Sequence, residues 1–239
     1  MNGKAQRLQP VFPAGKRIHE GPIWPSFRYS VVSDVGRSEG AGQPIRMDFP
    51  VVCVGGSAGG QDAYVNILKH LPSNMGVTVV IVNHITRGPA TLHEVLARHT
   101  GMPVILITTG LHIQPNHVFV IPSNFDLHVL DGAFRLEPIS KPKGWPDVIT
   151  IFLRSLAQNW GGKLIAVIVS GLDADGAEAL REIKAVGGIT IAQTPETAVW
   201  SDMPESAIKT GYVDFVLSNE DIARKILEIA RIEPARDVY

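Results

Sequence analysis

From Val51 to Ile229 the sequence predicts an α/β fold: a doubly wound, mainly parallel sheet with helices on both faces and one attached antiparallel hairpin. Three observations carry this reading. Short β-branched runs such as Val77-Thr-Val-Val-Ile-Val82 have no polar alternation, as expected of strands buried on both faces. Between them lie segments whose apolar residues recur every three or four positions, the spacing of a helix with one buried side. Strand-like and helix-like stretches alternate along the chain, the order that lays helices over both faces of a parallel sheet, in a Rossmann-like layering.

In chain order, strands are expected at 51–54, 77–83, 104–108, 117–121, 164–170, 189–192 and 213–217. Helical spacing is present at 62–70, 91–99, 147–159, 177–185 and 220–230. The exception to this alternation is 127–136, where Asp131-Gly132 between two short apolar runs signals a hairpin with a two-residue turn. No repeat of 20–50 residues is visible. Residues 1–46 hold Pro10, Pro13, Pro22, Pro25 and Pro44 among scattered glycines and show neither strand nor helix periodicity. They are read as a disordered tail or as an upstream extension preceding a natural start at Met47. One domain is expected over 47–232, with a short tail at 233–239.

Of the 239 residues, 22 are basic and 23 acidic, a net charge of −1, so no basic footprint for a nucleic-acid partner is present. The single cysteine, Cys53, lies in the apolar run Val51-Val-Cys-Val54 and has no partner for an internal disulfide, which points to a reducing, cytoplasmic setting. Apolar runs are too short to span a bilayer and no signal peptide is recognisable, so membrane insertion is not expected.

The chemistry starts at Gly55-Gly-Ser-Ala-Gly-Gly60, which joins the first strand to a helix and fits G-x-S-x-G, a pattern that presents a serine on a sharp strand-to-helix turn. A plain glycine-rich turn or a phosphate loop is the competing reading. A Walker loop needs a lysine where Gln61 and Asp62 follow Gly60, and a dinucleotide site needs an acidic residue where the second strand ends Asn83-His84. His84 thus falls at the same sheet edge as Ser57, where a base and a surface or capping residue are the competing readings. The other seven histidines lack that placement, although His112 and His117 flank a loop. A third strand runs into Ser170-Gly-Leu-Asp-Ala-Asp-Gly176, placing Asp173 and Asp175 at that edge too. Asp175 could either orient an imidazole or cap the helix that follows it. Serine, histidine and aspartate at three strand ends are what a Ser57-His84-Asp175 triad requires.

These residues resemble the catalytic domain of the chemotaxis methylesterase CheB family, in ordered motifs from about Val51 to Ile229. Gly55–Gly60 resembles its nucleophile motif and Asn83-His84 its base. Pro115-Asn-His-Val-Phe-Val-Ile-Pro122 is similar to its Pro-Gly-x-Val-Tyr-x-Ala-Pro stretch. Ser170–Gly176 resembles Thr-Gly-Met-Gly-x-Asp-Gly, and Ala185–Gln193 with Met203-Pro204 completes the series. The resemblance implies hydrolysis of glutamyl methyl esters, and deamidation of glutamines, on methyl-accepting chemotaxis receptors, with no metal or cofactor. It implies an oxyanion and substrate loop at Ala58, Leu172 and Met203. A separate response regulator is a candidate partner, since about 50 residues before the domain do not encode a receiver domain.

This sequence departs from the family at Ala58, where threonine is common, at Asp173, a glycine position whose backbone a Cβ would strain, and at Asp202, where glycine is usual. A same-fold esterase or amidase for another substrate and a catalytically silent receptor-binding domain remain as alternatives. Trp145-Pro146-Asp147 and the Trp200 loop are candidate rim contacts or core packing.

Overall fold

The apolar run after Pro50 forms β1 (Val51–Gly56), buried along its whole length, and the chain enters α1 (Gly60–Leu68) after a three-residue turn. The computed structural model describes residues 49–83, 91–141 and 146–231. The expectations for residues 1–46, a start at Met47 and the tail at 233–239 fall outside them, as does Trp145. Onward from α1 come β2 (Thr78–Asn83), α2 (Leu92–Ala97), β3 (Val104–Leu106) and β4 (Val118–Val120). The hairpin β5 (Phe125–Leu130) and β6 (Ala133–Pro138) follows, then α3 (Val148–Asn159), β7 (Leu164–Ile168) and α4 (Leu180–Ala185). The remaining elements are β8 (Ile189–Gln193), α5 (Asp202–Lys209), β9 (Phe215–Leu217) and α6 (Asn219–Arg231).

Seven strands form one parallel sheet in the order β3-β4-β2-β1-β7-β8-β9. The chain leaves β1 toward β2 on one side and returns to β7 on the other, so the strand order reverses at β1. Doubly wound sheets open a crevice at such a reversal, beyond the carboxyl ends of the strands. Alternate residues of β1 enter two apolar layers. Val51 and Cys53 pack in one with Ile149 and Phe152 of α3, Leu180 of α4 and Ala207 of α5. Val52 and Val54 pack in the other with Tyr64 of α1, Leu96 of α2 and Ile222 of α6.

The hairpin turns on Asp131 (φ 51°) and Gly132 (φ 73°), both left-handed, as a two-residue turn between twisted strands requires. It forms its own two-stranded sheet and is attached through α3. Leu127, Val129 and Phe134 are buried against the layer of Phe152, and the Val129 amide donates to Ser155 Oγ at 2.9 Å. Helix ends shift from the periodicity by up to three residues, most at α4. Residues 177–179 form turns (Ala177 N–H to Ala174 O, 3.2 Å; Ala179 N–H to Gly176 O, 3.2 Å), so α4 starts three residues late. α5 is an added element: in Asp202-Met-Pro-Glu-Ser-Ala-Ile-Lys209 only Met203, Pro204 and Ala207 are buried, too narrow a stripe to signal a helix, and Pro204 is tolerated because it sits in the first turn. No helix among the described residues is long and apolar enough to cross a membrane.

Candidate active site

The turn that carries Ser57 follows from where β1 ends. Its ladder with β2 closes at the pair Gly56 and Asn83, and its ladder with β7 at Gly55 and Ile168. The chain must then turn sharply to enter α1. Ser57 N–H donates to Ser170 O at 2.9 Å, Gly60 N–H donates to Ser57 O at 3.0 Å, and Gly59 takes the left-handed φ of 71° that a side chain would resist. Ser57 is half-buried at the top of this turn.

The stretch after β7 closes the other side. Ser170, 1% exposed, donates its hydroxyl to Ala58 O (2.7 Å) and accepts from Trp200 N–H (2.9 Å), while its amide donates to Gln193 Oε1 (3.0 Å). Gln193 Nε2 in turn donates to Thr197 O at 2.9 Å. Gly171 N–H donates to Trp200 O and Met203 N–H to Gly171 O, both at 3.1 Å. A Cβ on Gly171 would run into the Met203 thioether and stand 3.1 Å from Ser57 Cβ, so Ser57, Gly171 and Met203 are in close approach. Met203 is fully buried, a floor under the loop, whereas Leu172 is exposed and Ala58 half-buried.

Asp175 is 7% exposed at the far end of this loop. Its Oδ2 accepts the Ile149 amide at 2.7 Å and its Oδ1 the Thr150 amide at 2.8 Å. These are first-turn amides of α3, whose N-terminal partial positive charge stabilises a carboxylate. Asp175 therefore does not cap the helix that follows it; it binds the start of a helix some 25 residues earlier in the chain. The contact is returned: Gly176 N–H donates to Thr150 Oγ1 at 2.8 Å. Asp173 Oδ1 accepts the Asp175 amide at 2.9 Å. The backbone strain expected at Asp173 is not found, since the non-glycine residues with positive φ among those described are Asn116, Asn124 and Asp131.

His84 lies outside the described residues. Among the other histidines, His70, His99 and His117 lie in the connections leading into the amino ends of β2, β3 and β4, the edge opposite Ser57. His117 is occupied there, its Nδ1 donating to Pro115 O at 2.8 Å. Burial, then the nearby charge of Asp175, pushes the Cys53 thiol far above its ordinary range. Burial likewise raises the Tyr64 hydroxyl, which sits beneath the turn where a Cβ on Gly56 would meet it at 2.6 Å. Among the described residues no group of three or more His, Cys, Asp or Glu is arranged to hold a metal ion. A cleft of about 720 Å³ opens beside Leu172, Asp173 and Asp175, between α3 and α5.

Sequence reasoning did not single out Ser170, Gln193 or Thr150. Ser170 and Gln193 lie inside motifs that carried the resemblance, so their signal was present. Thr150 had none, because its partner is supplied by the tertiary fold.

The model of the family described as CheB methylesterase matches residues 52–226. The chain belongs to the CheB methylesterase family. A relative in Syntrophus aciditrophicus, named protein-glutamate methylesterase/protein-glutamine glutaminase 1, is 35% identical over 189 residues, covering 76% of this chain and 53% of that protein. One in Leptospira interrogans, provisionally given the same paired name, is 32% identical over 185 residues, 77% of this chain and 96% of that protein. The chain thus spans about half the length of the first relative and nearly all of the second. The CheB methylesterase catalytic domain of Thermotoga maritima superposes with a TM-score of 0.69 at 31% identity, over 75% of this chain and 97% of that one. The α/β fold read from the sequence is the fold of the CheB catalytic domain.

Proposed function

We propose that this chain is a protein-glutamate methylesterase that hydrolyses glutamyl methyl esters on the cytoplasmic domains of methyl-accepting chemotaxis receptors, with Ser57 as nucleophile, His84 as base and Asp175 as the carboxylate that orients it. The observation that carries this reading is strand register. Gly56 and Asn83 are partners across the β1–β2 ladder, and Ser57 and His84 are the residues that follow them in sequence. Neighbouring strands run about 4.8 Å apart, close enough for side chains at adjacent strand ends to come within hydrogen-bond reach. Ser170 O ties Ser57 to the strand end that leads to Asp175.

In this mechanism Ser57 Oγ attacks the ester carbonyl carbon as His84 takes its proton, and the carbonyl oxygen becomes an oxyanion. The Leu172 amide, at the position that the family resemblance gives to its oxyanion contact, donates to that oxyanion. His84 returns the proton to the leaving methoxy group, methanol departs, and a glutamyl-serine ester remains. Water, deprotonated by His84, cleaves that ester and releases a glutamate carboxylate. A glutamine side chain traverses the same steps with ammonia as the leaving group, in keeping with the paired names of the relatives.

Methanol released from methylated receptor membranes, measured for the wild type and Ser57→Ala in parallel, tests the reading. Release by the wild type that Ser57→Ala abolishes supports it. Equal release by both removes Ser57 from the chemistry, and release by neither points to another ester or amide substrate, or to a binding role.

A further inference from the structure

We propose that the segment Thr197 to Trp200, after β8, is a specificity wall that binds the apolar flank of the protein segment carrying the methyl ester. This rests on the reading of Ser57 as nucleophile and adds what selects its substrate.

The wall is anchored to the nucleophile turn by polar groups that are out of water. Ser170 Oγ bridges Ala58 O and the Trp200 amide, and Gln193, 1% exposed, bridges the Ser170 amide and Thr197 O. Val199 lies directly against the turn, its Cβ 2.5 Å from where a Cβ on Gly59 would stand. Such a backbone is held by buried hydrogen bonds, which are costly to break, so it is rigid rather than a freely moving loop.

On this rigid backbone the side chains face water. Val199 is 60% exposed, Trp200 46%, and Leu172, one residue beyond the Gly171 bonded to Trp200, 41%. Exposed apolar residues are common singly, but a contiguous group beside a functional group marks a contact surface. Their apolar area adds little to the core, and they stand beside the turn that presents Ser57. Aromatic anchors on a fixed backbone lose little rotamer entropy on binding, which is what a recognition wall requires. The cleft beyond Leu172 carries Lys141 and Arg154 as well as Asp173 and Asp202, a mixed lining, so selection of the segment falls to apolar contact at Val199 and Trp200.

The test compares the wild type, the double variant Val199→Ser/Trp200→Ala, and Val186→Ser. Val186 is 54% exposed but precedes β8, at the opposite sheet edge, and serves as the control for losing surface apolar area. For each, methanol release against receptor concentration supplies kcat and KM, and the rate of Ser57 modification by a small alkyl fluorophosphonate reads the nucleophile without a protein substrate. The double variant is expected to raise KM for methylated receptor roughly tenfold, the scale of losing an aromatic anchor, with kcat and the modification rate held within about twofold. Val186→Ser leaves all three unchanged. An unchanged KM in the double variant overturns the proposal. A modification rate that falls in step with kcat/KM overturns it as well, because the segment then acts only by holding Ser57. Failure of the underlying reading looks different: the wild type is not modified at Ser57 at all.

Discussion

Thr150 and Asp175 cap each other across two elements: the Thr150 amide donates to Asp175 Oδ1 at 2.8 Å, and the Thr150 hydroxyl accepts the amide of Gly176, the residue after Asp175. The carboxylate is thereby held at the start of α3 by the same residue that holds its loop. Thr150→Val keeps the shape but leaves the buried Gly176 amide without an acceptor, at a cost of about 1–3 kcal/mol. Thr150→Ser retains the hydroxyl. Denaturant unfolding is expected to show the loss for valine and most of it recovered for serine; equal stability of wild type and Thr150→Val would refute the pairing.

Gly171 is the point where the loop after β7, the Met203 floor and Ser57 converge. Gly171→Ala pushes its methyl group into the thioether and displaces Ser57, and a misplacement near 1 Å costs on the order of 100-fold in rate. Adding Met203→Ala makes room and is expected to recover part of the loss in methanol release. A double variant no faster than Gly171→Ala alone contradicts the crowding argument.

Cys53 is 1% exposed in the middle of β1 and its thiol is pushed up by burial and then by Asp175. The thiolate is the reactive form, so the native protein is expected to resist thiol reagents at pH 8 and to react at the rate of unfolding. Rapid stoichiometric labelling without denaturant would contradict the buried placement of β1.

Asp214 ties the β8–β9 edge together. Burial works against its charge, but the Lys184 ammonium (2.6 Å) and the Thr190 amide (2.9 Å) and hydroxyl (3.0 Å) outweigh it and hold the carboxyl below its ordinary value. A carboxyl lowered on folding contributes stability above its unfolded pKa, about 3.9, and loses it as pH falls through the lower folded value. Asp214→Asn is therefore expected to cost about 1 kcal/mol near neutral pH, discounted for the solvent exposure of the pair. That difference shrinks below about pH 4. Unfolding midpoints measured at pH 7 and pH 3 check it; a gap that widens at low pH has the wrong sign.

How much of this was legible in the sequence depended on whether a signal was local. β1 and β2 were readable because strands buried on both faces are continuously apolar, and the turn at Asp131-Gly132 because only a few residue pairs accept left-handed angles in succession. The turn that carries Ser57 was readable because it imposes glycines on either side. The helix that Asp175 binds was not: spacing left it between orienting an imidazole and capping the helix just after it, whereas the amides it binds reach it through the packing of α3 across the sheet. α5 escaped because three buried residues in a polar octet leave no period to detect. The wall at Val199 and Trp200 was visible as a tryptophan loop, but its exposure and its anchor on Ser170 are properties of the folded chain.

The most direct test of the central claim is whether Ser57, His84 and Asp175 act as one unit. Methanol release from methylated receptor would be measured for Ser57→Ala, His84→Gln, Asp175→Asn and the combined variants. Residues sharing one proton-transfer relay are strongly non-additive, so removing His84 or Asp175 from a chain already lacking Ser57 is expected to slow release no further. Losses that multiply from variant to variant would mean that the three residues contribute separately, and would contradict the triad.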